Sequence, residues 1–323
     1  MQDTLTMPIS PELELTDEIL RVPFVTGADF AERFPFRAVR RILLPFDLSR
    51  AGVCALRIAT DFAENSGATI HLLHVVQPSS SKEIEPKSSR ADDHLAEASE
   101  RLLKHWVKRI VQGRVKTFVS IRIGEVVDVI VARALATRSD LILMTSRSCG
   151  SQNFDLQRSA AERVSRMAPC PVLTIPEKCG DQMAYNQGLL TSGWHTVLLP
   201  VDFSTAAERA LRFAAQIASE TGARLLLAHG CDGEAADEPR LRNRLRTWAS
   251  RLLDKSIACE VVIWPGGHSL YAILSEAARF EANLIVLPTT GESWSRRLRA
   301  GSITDGVLRQ APCPVVSINE KIS

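Results

Sequence analysis

Few residues in this chain have the type and spacing to handle a small ligand, and most of them lie in Ile285–Ser302, I-V-L-P-T-T-G-E-S-W-S-R-R-L-R-A-G-S. An apolar run, Leu284–Leu287, has strand character. A loop follows, with Gly291 early and Gly301-Ser302 at its end, and a helical pattern begins near Ile303. Glycines at both ends of such a loop let backbone N–H groups come close to a ligand. The helix start adds unpaired N–H groups and a partial positive charge. That chemistry suits phosphate. The glycine spacing fits neither a Walker loop nor G-x-G-x-x-G. Arg296, Arg297 and Arg299 lie inside the loop, either to neutralise phosphate or as a solvated basic face.

Support for bond-making chemistry is thin. There is no G-x-S-x-G elbow, no Walker lysine, and no general base beside a nucleophile. His74 and His229 follow apolar runs and read as hydrogen-bonded core or crevice histidines; no His, Cys or acid recurs at metal-ligand spacing. The seven cysteines form no C-x-x-C pair and are odd in number, which fits a reducing cytoplasm better than a disulfide framework. A net charge of +2 gives no reason to invoke nucleic acid or an acidic membrane. No apolar run reaches the ~18 residues of a membrane span, and the polar, acidic start is unlike a signal peptide.

The elements that must position these residues alternate. Residues 1–36 are broken by Pro8, Pro11, Pro23 and Pro35 and read as an arm, too apolar around Ile19–Val25 to be purely solvated. Then come a strand at Ile42–Phe46, a helix ended by Gly67, and a strand at Ala68–Val76. A Ser/Pro/Lys-rich loop and a helix at Asp92–Gln112 follow. Next are a strand at Val115–Ile121, a helix at Val126–Thr137, a strand at Asp140–Met144, a helix at about Ser159–Met167, and a strand at Val172–Ile175. Continuous apolar strands between helices predict a parallel sheet covered on both faces.

The chain then repeats itself. Leu198–Ser204 echoes Leu43–Ser49, Gly222-Ala223 echoes Gly67-Ala68, and His229 echoes His74, each 155 residues on. Gly267 echoes Gly124, Asn283 echoes Asp140, and Ala311-Pro312-Cys313-Pro314 echoes Ala168-Pro169-Cys170-Pro171, each 143 residues on. So regular a register indicates a tandem duplication. The divisions expected are 1–36, an arm; 37–178, the first domain; 179–193, a linker; and 194–323, the second domain.

The strand ending L-P-V-D-F-S, the strand-2 histidine, the glycine-spaced loop closing on Gly-Ser and the A-P-C-P-V-V strand resemble the universal stress protein family, in both copies. The resemblance implies two tandem open α/β domains, Rossmann-like and similar to adenine nucleotide alpha hydrolases. Each would hold five parallel strands in the order 3-2-1-4-5. It implies a pseudo-dimer of the two domains, with a homodimer of chains also open. It also implies ATP binding through the loop G-x-x-G-x(9)-G-[S/T]. In the second copy that loop falls on Pro288, Gly291, Gly301 and Ser302; in the first it falls on Thr145, Ser148, Arg158 and Ser159, with all three glycines gone. Pro288 lacks an N–H where the family has its first glycine. Asp202 matches the aspartate on the adenine side, and the residue after the strand-2 histidine, Gly230 in the second copy and Val75 in the first, matches the pocket wall. Asp202 is left to a ligand if Thr205 and Glu208 form a capping box, whereas Asp47 serves the degraded loop and is expected to cap its helix.

The expectation is a cytoplasmic stress-response or regulatory protein holding ATP or a related adenine nucleotide in the second domain alone, with Mg2+ only if ATP binds. The alternatives are a scaffold of the same fold without nucleotide and, third, a slow ATPase. Nucleic acid and membrane partners are not expected.

Overall fold

The structure, a computed structural model, describes residues 39–77, 88–146, 160–176, 194–231, 238–265, 269–289 and 303–319. The arm, the linker and both loops after the fourth strands, with Ser148, Arg158, Ser159, Gly291, Gly301 and Ser302, lie outside them.

In the first repeat, β1 (Arg41–Pro45) leads into α1 (Arg50–Ser66), β2 (Thr69–Val76), α2 (Ser88–Trp106) and β3 (Thr117–Ile123). Then come α3 (Val126–Thr137), β4 (Leu141–Thr145), α4 (Ala160–Met167) and β5 (Val172–Ile175). The second repeat runs β6 (Thr196–Pro200), α5 (Thr205–Thr221), β7 (Arg224–Cys231), α6 (Glu238–Ser250), β8 (Cys259–Pro265), α7 (Leu270–Arg279), β9 (Leu284–Pro288), α8 (Ile303–Gln310) and β10 (Val315–Ile318). The expected long helix at Asp92–Gln112 divides instead: α2 stops at Trp106 and Val107–Val111 winds as a π-helical turn, closed by Gln112 at φ 52°.

All the strands among the described residues join one ten-stranded sheet in the order β3-β2-β1-β4-β5-β10-β9-β6-β7-β8. Within each repeat the pairing is parallel and follows 3-2-1-4-5. The repeats meet where β5 and β10 pair antiparallel, with Val315 opposite Thr174, Val316 opposite Leu173 and Ser317 opposite Val172. Leu173 and Val316 are repeat-equivalent, so a pseudo-twofold axis passes between them.

Strands β4 and β9 are buried along their whole length, as apolar runs covered on both faces require. One face packs Leu56 and Phe62 of α1, Leu103 and Trp106 of α2, Leu211 of α5 and Leu245 of α6. The other packs Ile130 of α3, Val164 of α4, Ile273 of α7 and Val307 of α8. Gly67 and Gly222 end α1 and α5 at φ 69° and 74°, a left-handed turn that costs glycine little. The echo of Asp140 in Asn283 has a physical basis. Asp140 Oδ2 accepts the Arg40 and Arg41 N–H groups at 3.0 and 2.9 Å, and Asn283 Oδ1 accepts those of His195 and Thr196 at 3.0 Å each. Each fourth strand thereby pins the entry to its neighbouring first strand.

The seam between repeats is polar as well as apolar. Asn319 Nδ2 donates to Ser165 O at 3.0 Å and to Ala168 O at 2.8 Å, tying the end of the second repeat to the last turn of α4. Thr289 Oγ1 also donates to Ser165 O, at 3.3 Å. The repeat-equivalent of Asn319 is Pro176, which has no side-chain donor, so the seam is asymmetric. No helix among the described residues is long and apolar enough to cross a membrane.

Candidate functional site

The site forms where the strand order reverses. From β6 the chain passes to β7 and β8 on one side, while β9 and β10 lie on the other. In an open α/β sheet the ligand crevice opens at such a point, beyond the carboxyl ends of the strands. Asp202 follows β6, Pro288 ends β9, and Gly230 lies in the last turn of pleat of β7. These three expected positions therefore sit on three adjacent strands, with β6 in the middle. From there the chain runs from β9 towards Gly291, Gly301 and Ser302, and α8 begins at Ile303 immediately after them.

Asp202 is braced rather than capping. Its Oδ1 accepts the Ser204 N–H at 3.0 Å, and Ser204 Oγ in turn accepts the Ala207 N–H at 3.1 Å as the N-cap of α5. This corrects the expected Thr205/Glu208 capping box. Thr205 is already the first helical residue, and Glu208 pairs with Arg212 at 2.9 Å. A serine one position earlier takes the cap because its extended backbone, φ −72° and ψ 166°, points the hydroxyl at the third amide. The first repeat does the same. Ser49 caps α1, and Asp47 Oδ1 accepts both the Ser49 N–H and its hydroxyl, so Asp47 steadies the cap and does not itself cap the helix.

The histidines hold the floor of each crevice. His229 Nδ1 lies 2.6 Å from Val201 O, and His74 Nδ1 lies 2.7 Å from Phe46 O. A carbonyl only accepts, so Nδ1 carries the proton in both. Each ring ties the end of the first strand to its neighbour. Both lie inside their strands, two residues before the end.

One feature of the site has no signal in the sequence. Phe203, directly after Asp202, has φ 61°, and its counterpart Leu48 has φ 62°. A bulky residue takes this left-handed conformation only when its surroundings hold it there. Phe203 is held by an edge contact with His229 at 5.3 Å, another with Trp248 at 5.8 Å, and Arg244 stacked 4.3 Å over its ring.

Pro288 is buried, and Ile318 of β10 is its partner in the ladder. The ladder between β6 and β9 ends at Leu198 opposite Ile285, before the proline is reached. The missing N–H therefore costs the sheet no bond; the next residue, Thr289, donates its own to Ile318 O at 2.9 Å. Gly230 is buried and lies opposite Trp264 of β8. Among the described cysteines Cys54, Cys170 and Cys313 are buried, Cys231 is half-buried and Cys259 is exposed; burial pushes the Cys170 thiol up to about 12 and the Cys259 thiol up to about 11.

Two repeats of 3-2-1-4-5 topology, each with a braced aspartate and a tied histidine at the reversal point, define a fused pair of open α/β domains. A profile of the universal stress protein family matches residues 38–176 and 193–319. The chain belongs to the universal stress protein family. It is 33% identical over 133 residues to a Thermus aquaticus protein described as a universal stress protein in the QAH/OAS sulfhydrylase 3′ region, a match covering 38% of this chain and 97% of that one. Its fold is similar to that of a universal stress protein from Archaeoglobus fulgidus, with TM-score 0.63, 24% identity, and coverage of 85% of this chain and 94% of that one. It also resembles a universal stress protein from Pseudomonas aeruginosa, with TM-score 0.53, 18% identity, and coverage of 88% and 94%.

Proposed function

We propose that this chain is a stress-response regulatory protein whose second repeat binds ATP or a related adenine nucleotide, while the first repeat completes the pseudo-dimer. The observation that carries the reading is Asp202. Its carboxylate is oriented at the reversal point, one strand from the β9 end that runs into Gly291, Gly301 and Ser302. In this reading Asp202 and Gly230 meet the nucleoside. The two glycines, Ser302 and the start of α8 receive the phosphates through backbone N–H groups. The first repeat keeps the aspartate but carries Ser148 and Arg158 in place of the loop glycines, and it takes no nucleotide. Among the described residues no group of three His, Cys, Asp or Glu is placed to hold a metal ion. Mg2+ would arrive with the phosphates, and only if ATP binds.

Pro288 favours a second reading, a scaffold of the same fold without nucleotide, because it removes an N–H from the mouth of the crevice. Mass spectrometry of small molecules released from the denatured, purified protein separates the two. Recovered adenine nucleotide supports the first. A protein that is empty and also shows no signal on ATP titration sinks it.

A further inference from the structure

Strand β3 is one rim of the sheet. Its bonds to β2 fix which backbone groups are already used. Ile70 N–H donates to Lys116 O at 2.9 Å, and Gly124 N–H donates to Val76 O at 3.0 Å. Along a strand the N–H and C=O of one residue point the same way and alternate with those of the next. Even-numbered residues from 116 to 124 therefore face β2. The N–H and C=O groups of Thr117, Val119, Ile121 and Ile123 point outward. The opposite rim is better closed: its outward series on β8 ends in Pro265, which has no N–H.

The two faces of β3 differ in chemistry. Val119 and Ile121 pack on the side covered by α2, and Ile123 is 44% exposed. Along α2, Leu95 and Leu102 are 48% and 41% exposed and lie two turns apart. On the other side Phe118 is 45% exposed and stacks on His71 at 5.2 Å. Lys116 Nζ sits 5.1 Å over the Phe118 ring. Arg122 alternates onto this side, with its guanidinium donating to the outward Ile121 carbonyl at 2.7 Å, and burial together with the positive charges of Arg133 and Arg41 holds His71 below its ordinary pKa. One side is apolar and the other is basic.

The chain carries a matching stretch. Met1–Leu20 contains Asp3, Glu12, Glu14, Asp17 and Glu18 and no Lys or Arg. Within it, Glu12-Leu13-Glu14-Leu15-Thr16 alternates acid and leucine with the period of a strand. We propose that Glu12–Thr16 adds to β3 as an outer strand. Leu13 and Leu15 lie on the α2 side with Val119, Ile121 and the exposed leucines. Glu12 and Glu14 lie on the α3 side towards Lys116, Arg122 and Arg133. The alternation sorts the faces in either strand direction. The reach is ample. The arm joins the fold at the amino ends of the strands, two strand spacings (about 10 Å) from β3, and residues 17–38 can span up to ~70 Å. A second copy paired through the same edge would build a twenty-stranded sheet, twice the ~10 strands that twisted open sheets usually sustain.

Residue-resolved hydrogen exchange on the full chain tests this. The outward amides of Val119 and Ile121 should exchange at least about tenfold more slowly in the full chain than in a variant lacking residues 2–20. The amides of Phe118 and Ser120, bonded to β2, should not change. Glu12→Lys with Glu14→Lys should abolish the slowing, and adding Lys116→Glu with Arg122→Glu should restore it. Equal exchange at Val119 and Ile121 with and without residues 2–20 would overturn the proposal. So would slowing that survives the deletion and grows with protein concentration, since a second copy would then hold the edge.

Discussion

Replacing Asn319 by leucine should weaken the seam between the repeats by about 2–4 kcal/mol, and the size follows from what each acceptor keeps. Asn319 donates to two buried carbonyls, at 3.0 and 2.8 Å. Leucine is close in volume, so little cavity forms. Ser165 O retains the Thr289 hydroxyl at 3.3 Å and loses one ordinary hydrogen bond, about 1 kcal/mol. Ala168 O loses the amide that fills it, and an unsatisfied buried carbonyl costs about 1–3 kcal/mol. The sum corresponds to a drop in Tm of roughly 3–6 °C for a chain of this size. Thermal unfolding followed by circular dichroism measures it. Because Thr289 and Asn319 share Ser165 O, Asn319→Leu combined with Thr289→Val should cost more than the two single changes added together. A Tm change under about 1 °C for Asn319→Leu would refute the reasoning and mean that the seam relaxes to satisfy these carbonyls.

Three further outcomes are expected. Gly222→Ala should cost about 1 kcal/mol, because φ is 74° and an added Cβ meets nothing within 4 Å; only backbone strain acts, and chemical denaturation reads it. At Glu125 burial opposes ionisation, but the Asp128 and Val127 amides and Arg163 outweigh it and hold the carboxyl below its ordinary range. Its contribution is therefore complete above the unfolded pKa of ~4.3 and is lost as pH falls through the lower folded value. Glu125→Gln should flatten that part of the acid-unfolding profile, and an unchanged profile would reject the assignment. Asp202→Ala should weaken ATP binding about tenfold or more while leaving Tm within about 2 °C, as a charged contact of 1.5–3 kcal/mol implies, with both read by calorimetry.

Much of the fold was legible because the duplication printed each landmark twice. Val126–Thr137 and Val172–Ile175 fall where the apolar spacing puts them. The histidines and the Asp140/Asn283 pair recur because each makes the same bond to a first strand in both repeats. What escaped depends on backbone angles or on contacts distant in sequence. Ser204 and Thr205 are both good caps on paper, and only the extended backbone of Ser204 decides between them. Phe203 gives no hint of φ 61°, since the residues that hold it lie on β7 and α6. Asn319 looks like an ordinary polar residue after a strand until β10 meets β5 across the seam and brings it to α4.

The central claim is that one repeat of the two takes nucleotide. Isothermal titration of the full chain with ATP and Mg2+, run beside Gly301→Arg, tests it most directly, because arginine is what the first repeat carries at that position. The account predicts one ATP per chain, with binding abolished in the variant. Two ATP per chain, or binding unaltered by Gly301→Arg, would contradict it.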